Sequence, residues 1–163
     1  MRRAYLIGFA PALLLALAPT AAMASTTYNE SVAGIETAVP TSCGAPNSGE
    51  SLSSFAGVAF GTLDGAFSAA ICHTPLGPAG ARILGGAFTL SNRSATVSGL
   101  FTGGTVSPPS MRIFGSICVQ EYVVAGTLTG GSFTARLTHY GIWDGTNCNV
   151  FFATVAGRAT ITA

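Results

Sequence analysis

The chain has 163 residues, of which 48% are hydrophobic and only 8% charged, with 21 glycines and a formal net charge of +1. It contains no lysine, and the arginines at 82, 93, 112, 136 and 158 are scattered. Nucleic acid and an anionic membrane surface are therefore not expected partners, because both recruit concentrated Lys and Arg.

Arg2 and Arg3 precede an apolar run over residues 6–17, and Ala22-Met23-Ala24 supplies a small-x-small cleavage site. This pattern predicts a secretory signal peptide over 1–24. Pro11 and Pro19 interrupt the run, which falls short of the roughly 20 apolar residues a spanning helix needs. The expected product is a secreted chain, 25–163, forming a single domain with no membrane insertion after cleavage. It keeps five arginines (7 less Arg2 and Arg3) against six acidic residues, so its charge is close to zero.

All four cysteines (Cys43, Cys72, Cys118 and Cys148) fall in the exported part. An even count in an oxidising compartment predicts two disulfides. Of the three possible pairings, Cys43 with Cys72 and Cys118 with Cys148 is favoured, because each pair stays within one half of the chain. The chain has no C-x-x-C and no H-x-x-x-H, so neither a metal nor another cofactor is expected.

Glycine recurs so often that no helix of ordinary length fits between the breaks, each interior glycine costing about 1 kcal/mol relative to alanine. Short runs rich in Val, Ile, Phe and Thr predict strands instead, near 31–37, 55–60, 66–72, 82–90, 95–101, 111–118, 121–128, 132–139 and 151–161. Thr102-Gly103-Gly104 and Thr129-Gly130-Gly131 read as hairpin turns, and residues 41–54 as a loop tied down by Cys43. Eight to nine short strands leave an antiparallel β-barrel or a two-sheet β-sandwich. Val32-Ala33-Gly34 is echoed by Val155-Ala156-Gly157, and first and last strands must pair for a barrel to close, which favours the barrel.

One phrase occurs twice. Residues 61–73 (GTLDGAFSAAICH) and 126–139 (GTLTGGSFTARLTH) each run from Gly-Thr-Leu through a turn to a strand that ends in one of the chain's two histidines. Alternate side chains share a face in a strand, so Phe67, Ala69, Ile71 and His73 form one row, and Phe133, Ala135, Leu137 and His139 another. Arg136 and its neighbouring threonines mark the opposite face of the second copy as solvent-facing. The predicted strands make an odd number of crossings between the copies, so an up-and-down barrel would send the two histidines to opposite ends. A Greek-key crossover would bring them together.

The favoured structural account makes each histidine a strand-end residue hydrogen-bonded to a neighbouring loop. The chemical account makes His73 and His139 general acid/base groups, with Glu121 or Asp144 as the orienting carboxylate. Residues 140–149 read as a loop opened by Gly141 and Gly145, in which Tyr140, Trp143, Asn147 and Asn149 offer rings and amides suited to a glycan. The leading expectation is a secreted, disulfide-stapled barrel that binds a small molecule or glycan. An isomerase or hydrolase and a purely structural envelope protein are the alternatives. No motif speaks to oligomeric state.

Overall fold

The computed structural model describes residues 25–38, 40–45 and 48–163, so the expected signal peptide lies outside the described residues. Ten strands follow in chain order: β1 (Thr27–Glu36), β2 (Thr41–Ser42), β3 (Ser51–Gly61), β4 (Gly65–His73), β5 (Ala81–Ser91), β6 (Thr96–Val106), β7 (Ser110–Phe114), β8 (Ile117–Leu128), β9 (Gly131–Trp143) and β10 (Cys148–Thr162). Eight of them close a ring in the order β1-β3-β4-β5-β6-β8-β9-β10, every neighbour antiparallel, while β2 is appended to β3 and β7 to β8. The protein is an up-and-down barrel, and ring closure rules out the sandwich.

The closing seam is the one the echoed tripeptides suggest. β1 and β10 pair with Val32 opposite Gly157, Ala33 opposite Ala156 and Gly34 opposite Val155. On its other side β1 reaches β3, where Gly34 faces Gly57. A Cβ on Gly34 would come within 2.5 Å of the Ala56 carbonyl oxygen, so glycine here lets the strands approach closely.

Alternation along each strand sorts the side chains. Phe55, Phe88, Leu90, Phe101, Val124, Leu128 and Leu137 are buried in a single core. Phe101 sits edge-on between Phe88 and Phe133, at centroid distances of 5.8 and 5.1 Å. Packing leaves an apolar lumen cavity of about 90 Å3. At one end the β3–β4 turn covers the ring: Leu63 is buried, and its amide donates to Glu30 Oε1 at 2.7 Å.

Both disulfides have the favoured pairing, Cys43–Cys72 and Cys118–Cys148. The first ties the segment after β1 to β4. The second joins β8 to β10 across β9, passing over Gly141, where a Cβ would lie 2.7 Å from Cys148 Sγ.

Four local expectations are corrected. Residues 41–54 are not one loop, since Thr41–Ser42 form β2 and pair with Ser51 and Leu52 at the start of β3. Thr102-Gly103-Gly104 is not a hairpin but a bulge inside the continuous strand β6, with the register shifting between Phe101 and Gly103. The predicted strand 111–118 is a hairpin: β7 ends at Phe114, the chain reverses at Gly115 (φ 63°), and Ile117 begins the long strand β8. Residues 140–149 are not an open loop, since β9 runs through Trp143 and β10 starts at Cys148. Only a tight turn remains, with Asp144 N donating to the Asn147 carbonyl.

Candidate functional site

Once β7 leaves the ring, four strand-to-strand steps separate β4 from β9. An even number makes them parallel, and four of eight puts them on opposite walls of the barrel. His73 and His139 therefore finish at the same end, facing across one mouth. The expectation that an up-and-down barrel sends them to opposite ends fails because it counts β7 as a barrel strand.

Each histidine strand lies beside a β-bulge. Between β4 and β5 the register shifts from Cys72 opposite Gly85 to His73 opposite Ile83, leaving Leu84 extra. Between β9 and β10 it shifts from Val150 to Phe152, leaving Phe151 extra and exposed over the opening. An extra residue bends its strand and re-aims the side chains next to it, a device common at barrel rims and beside active sites.

The mouth holds a recess of about 510 Å3. Its walls include His73, His139, Ser51, Ser53, Glu36 and Phe151. Ser53, His73 and Leu76 also line the apolar cavity beneath, so these three side chains form the partition between mouth and lumen.

Ser53 and His73 are 7% and 8% exposed and joined by a contact of 3.1 Å between Ser53 Oγ and His73 Nε2. The other ring nitrogen settles the direction of that bond. His73 Nδ1 lies 2.7 Å from the Thr74 carbonyl oxygen, which only accepts, so Nδ1 carries a proton and donates it. In the neutral ring Nε2 is then the acceptor, and Ser53 Oγ–H points its proton at it. Thr74 is itself fixed by two bonds to Arg82, its N–H donating to the Arg82 carbonyl and its Oγ1 accepting from Arg82 N.

Across the mouth, His139 is 9% exposed, and its ring lies 5.2 Å from that of Tyr122. Burial, and secondarily the neighbouring His73 imidazole, hold His139 below the usual imidazole range. Burial also pushes the Tyr122 phenol up, and its hydroxyl donates to Gln120 Oε1 at 3.3 Å.

The remaining sequence candidates lie elsewhere. Glu121 is on the outer face of β8, ion-paired with Arg112 and Arg136, so it does not orient an imidazole. Asp144 is spent on the β9–β10 turn, where it accepts from Thr146 N, Asn147 N and Asn149 Nδ2. Those bonds, led by the Asn147 amide, hold its carboxyl below the usual range. Tyr140 packs against Phe152 on the outside of the wall, at a centroid distance of 5.9 Å, whereas alternation puts Trp143 on the face that carries His139. Tyr140, Trp143, Asn147 and Asn149 therefore do not form one stacking platform. Among the described residues no cluster of three or more His, Cys, Asp and Glu side chains is placed to hold a metal ion.

Fold and mouth together define the class: a disulfide-stapled, eight-stranded up-and-down barrel with an apolar lumen and a paired-histidine opening. Compared with protein-family models, curated proteins and solved structures, the chain matches none.

Proposed function

We propose that this is an exported barrel that takes up a small organic molecule at the mouth between His73 and His139. The observation that carries the reading is the convergence of two buried imidazoles and a buried serine over a recess of about 510 Å3, at the open end of a barrel whose lumen cavity is apolar. Sites for small molecules are typically concave and largely apolar, with a few placed polar groups. Phe151, Leu76 and Val150 supply the apolar part here, and Ser53, His73 and His139 the polar part. Two disulfides fit an oxidising compartment, and removal of 1–24 on export belongs to the same proposal.

Ligand-observed NMR with a panel of small aromatic acids, short esters and monosaccharides tests it. The expected result is binding that weakens at least about tenfold in Phe151→Ala and His139→Gln, each polar or apolar anchor being worth roughly 1–3 kcal/mol, and that survives in Trp143→Ala. Binding lost in Trp143→Ala but intact in the mouth variants would move the site to the β9–β10 hairpin.

A further inference from the structure

The partition between mouth and lumen contains, beside Leu76, a hydrogen-bonded serine and histidine, which a passive binding cup does not require. Ser53 lies on the core-facing row of β3 between Ser51 and Phe55, a place where an apolar side chain would pack at no desolvation cost. Its hydroxyl is aimed at His73 Nε2, whose ring is held in that tautomer by the Thr74 carbonyl. A hydroxyl, a base and a group that orients the base are the parts of an activated nucleophile. The third member is a backbone carbonyl rather than a carboxylate.

We propose that Ser53 is the nucleophile of an acyl-transfer site, with His73 as its general base, acting on esters of short apolar acids. The inference rests on the mouth reading above and adds a reaction to it. Position supplies the substrate class. Below Ser53 the lumen cavity is apolar and about 90 Å3, smaller than the roughly 150 Å3 cavity that takes up benzene, so it suits a short acyl chain. Above, the recess is open to water and mixes apolar walls with Ser51, Thr37 and Glu36, which suits the alcohol part.

Ser53 Oγ attacks the ester carbonyl carbon while its proton passes to His73 Nε2. The resulting oxyanion forms in the recess that His139 faces, and burial keeps that imidazole neutral, with one N–H to donate. Collapse breaks the bond to the alkoxy oxygen, which leaves as the alcohol with the proton from His73. Water then attacks the acyl-serine, His73 taking its proton, and breakage of the Oγ–C bond releases the carboxylic acid and returns the proton to Ser53. Glu36 at the end of β1 and His139 are the other titratable groups facing this recess.

The purified protein is incubated at neutral pH with a short-chain alkyl fluorophosphonate, and the adduct is mapped by mass spectrometry. One adduct per chain on Ser53 is expected, absent in Ser53→Ala and formed at least about 100-fold more slowly in His73→Gln, the usual range for loss of a general base. Hydrolysis of p-nitrophenyl butyrate should exceed that of p-nitrophenyl decanoate. Because His73→Gln also alters a buried hydrogen bond, Ser53→Cys gives a second readout: beside the imidazole its thiol should react with iodoacetamide at pH 6 at least about tenfold faster than a free thiol. No Ser53 adduct, an adduct formed equally fast in His73→Gln, or a thiol of ordinary or lower reactivity in Ser53→Cys would each overturn the proposal. Fragment binding that persists in Ser53→Ala while labelling fails separates loss of this inference from loss of the mouth site itself.

Discussion

His139 shows how burial turns a histidine inside a strand into a reporter of the fold. Its pKa is depressed in the folded chain, first by desolvation and then by His73, whereas in the unfolded chain it stands near 6.5. Between those two values the unfolded state binds the extra proton, so stability rises with pH. The His139 contribution is complete above about pH 6.5 and is lost as pH falls toward the folded value. We expect the thermal midpoint to drop between pH 7.5 and pH 5, and His139→Gln to drop less over the same interval. Equal slopes in the two proteins would mean that the imidazole is solvated after all. The alternation rule places both histidines on core-facing rows, and the structure agrees. Ser53 escapes that rule for a physical reason. Its strand begins with Ser51-Leu52-Ser53-Ser54, which lacks the β-branched and aromatic residues that signal a strand, so the predicted strand starts at Phe55. Extending the period back from Phe55 puts Ser53 on the inward row, and a hydroxyl there is the signal the sequence holds.

At the scale of elements, glycine positions record where backbones and disulfides come close. Gly141 lies on the inward row of β9, under the bridge that links β8 to β10, and an added Cβ would meet Cys148 Sγ at 2.7 Å and the Asn149 carbonyl oxygen at 2.8 Å. Gly141→Ala should therefore cost about 1–3 kcal/mol, the usual penalty for overpacking, measured by urea unfolding. In a Cys118→Ser, Cys148→Ser background the sulfur contact is gone and the penalty should shrink. A penalty that stays whole would assign the strain to the Asn149 carbonyl alone. Hairpin ends are less legible than strands. Gly-Gly at 103–104 has the chemistry of a turn, but the β6 backbone stays extended because Thr105 and Val106 go on pairing with β8, and the extra residue is absorbed as a bulge. Conversely, the Gly115-Ser116 reversal carries one glycine between apolar residues on both sides, so residues 111–118 read as one strand. That single element changes the parity of the ring and hence the predicted meeting of the histidines.

For the whole molecule, the barrel's apolar lumen and its closure follow from the sequence. Phe55, Phe67, Phe88, Phe101 and Phe133 fill the lumen, while the outer face is mixed: Ser68, Thr89, Thr134 and Arg136 lie beside exposed apolar side chains such as Val58, Phe60, Leu100, Val123 and Ile142. Closure also brings the ends of the described chain together: Thr26 N donates to the Ala163 carbonyl at 2.8 Å, and Ala163 N to the Thr26 carbonyl at 3.0 Å. These ends lie at the covered end, since Tyr28 pairs with Ile161 and Glu30 with Gly61. The β5–β6 turn at Arg93 and Ser94 is exposed and on that same end, where Ser91 faces Ala66 of β4. A circular permutant that joins residue 163 to residue 25 through a short linker and opens between Arg93 and Ser94 should therefore fold, because no ring pairing is cut and the mouth is untouched. The opening removes the Asn92 Oδ1 bonds from Ser94 and Ala95, so a loss of about 1 kcal/mol is expected, or roughly 3–6 °C in midpoint for a domain of this size. One cooperative transition with Ser53 labelling unchanged is the predicted outcome. An aggregated or molten permutant would show that the β1–β10 seam needs the β5–β6 turn formed first, and that closure is the last step of folding rather than a property of the strands alone.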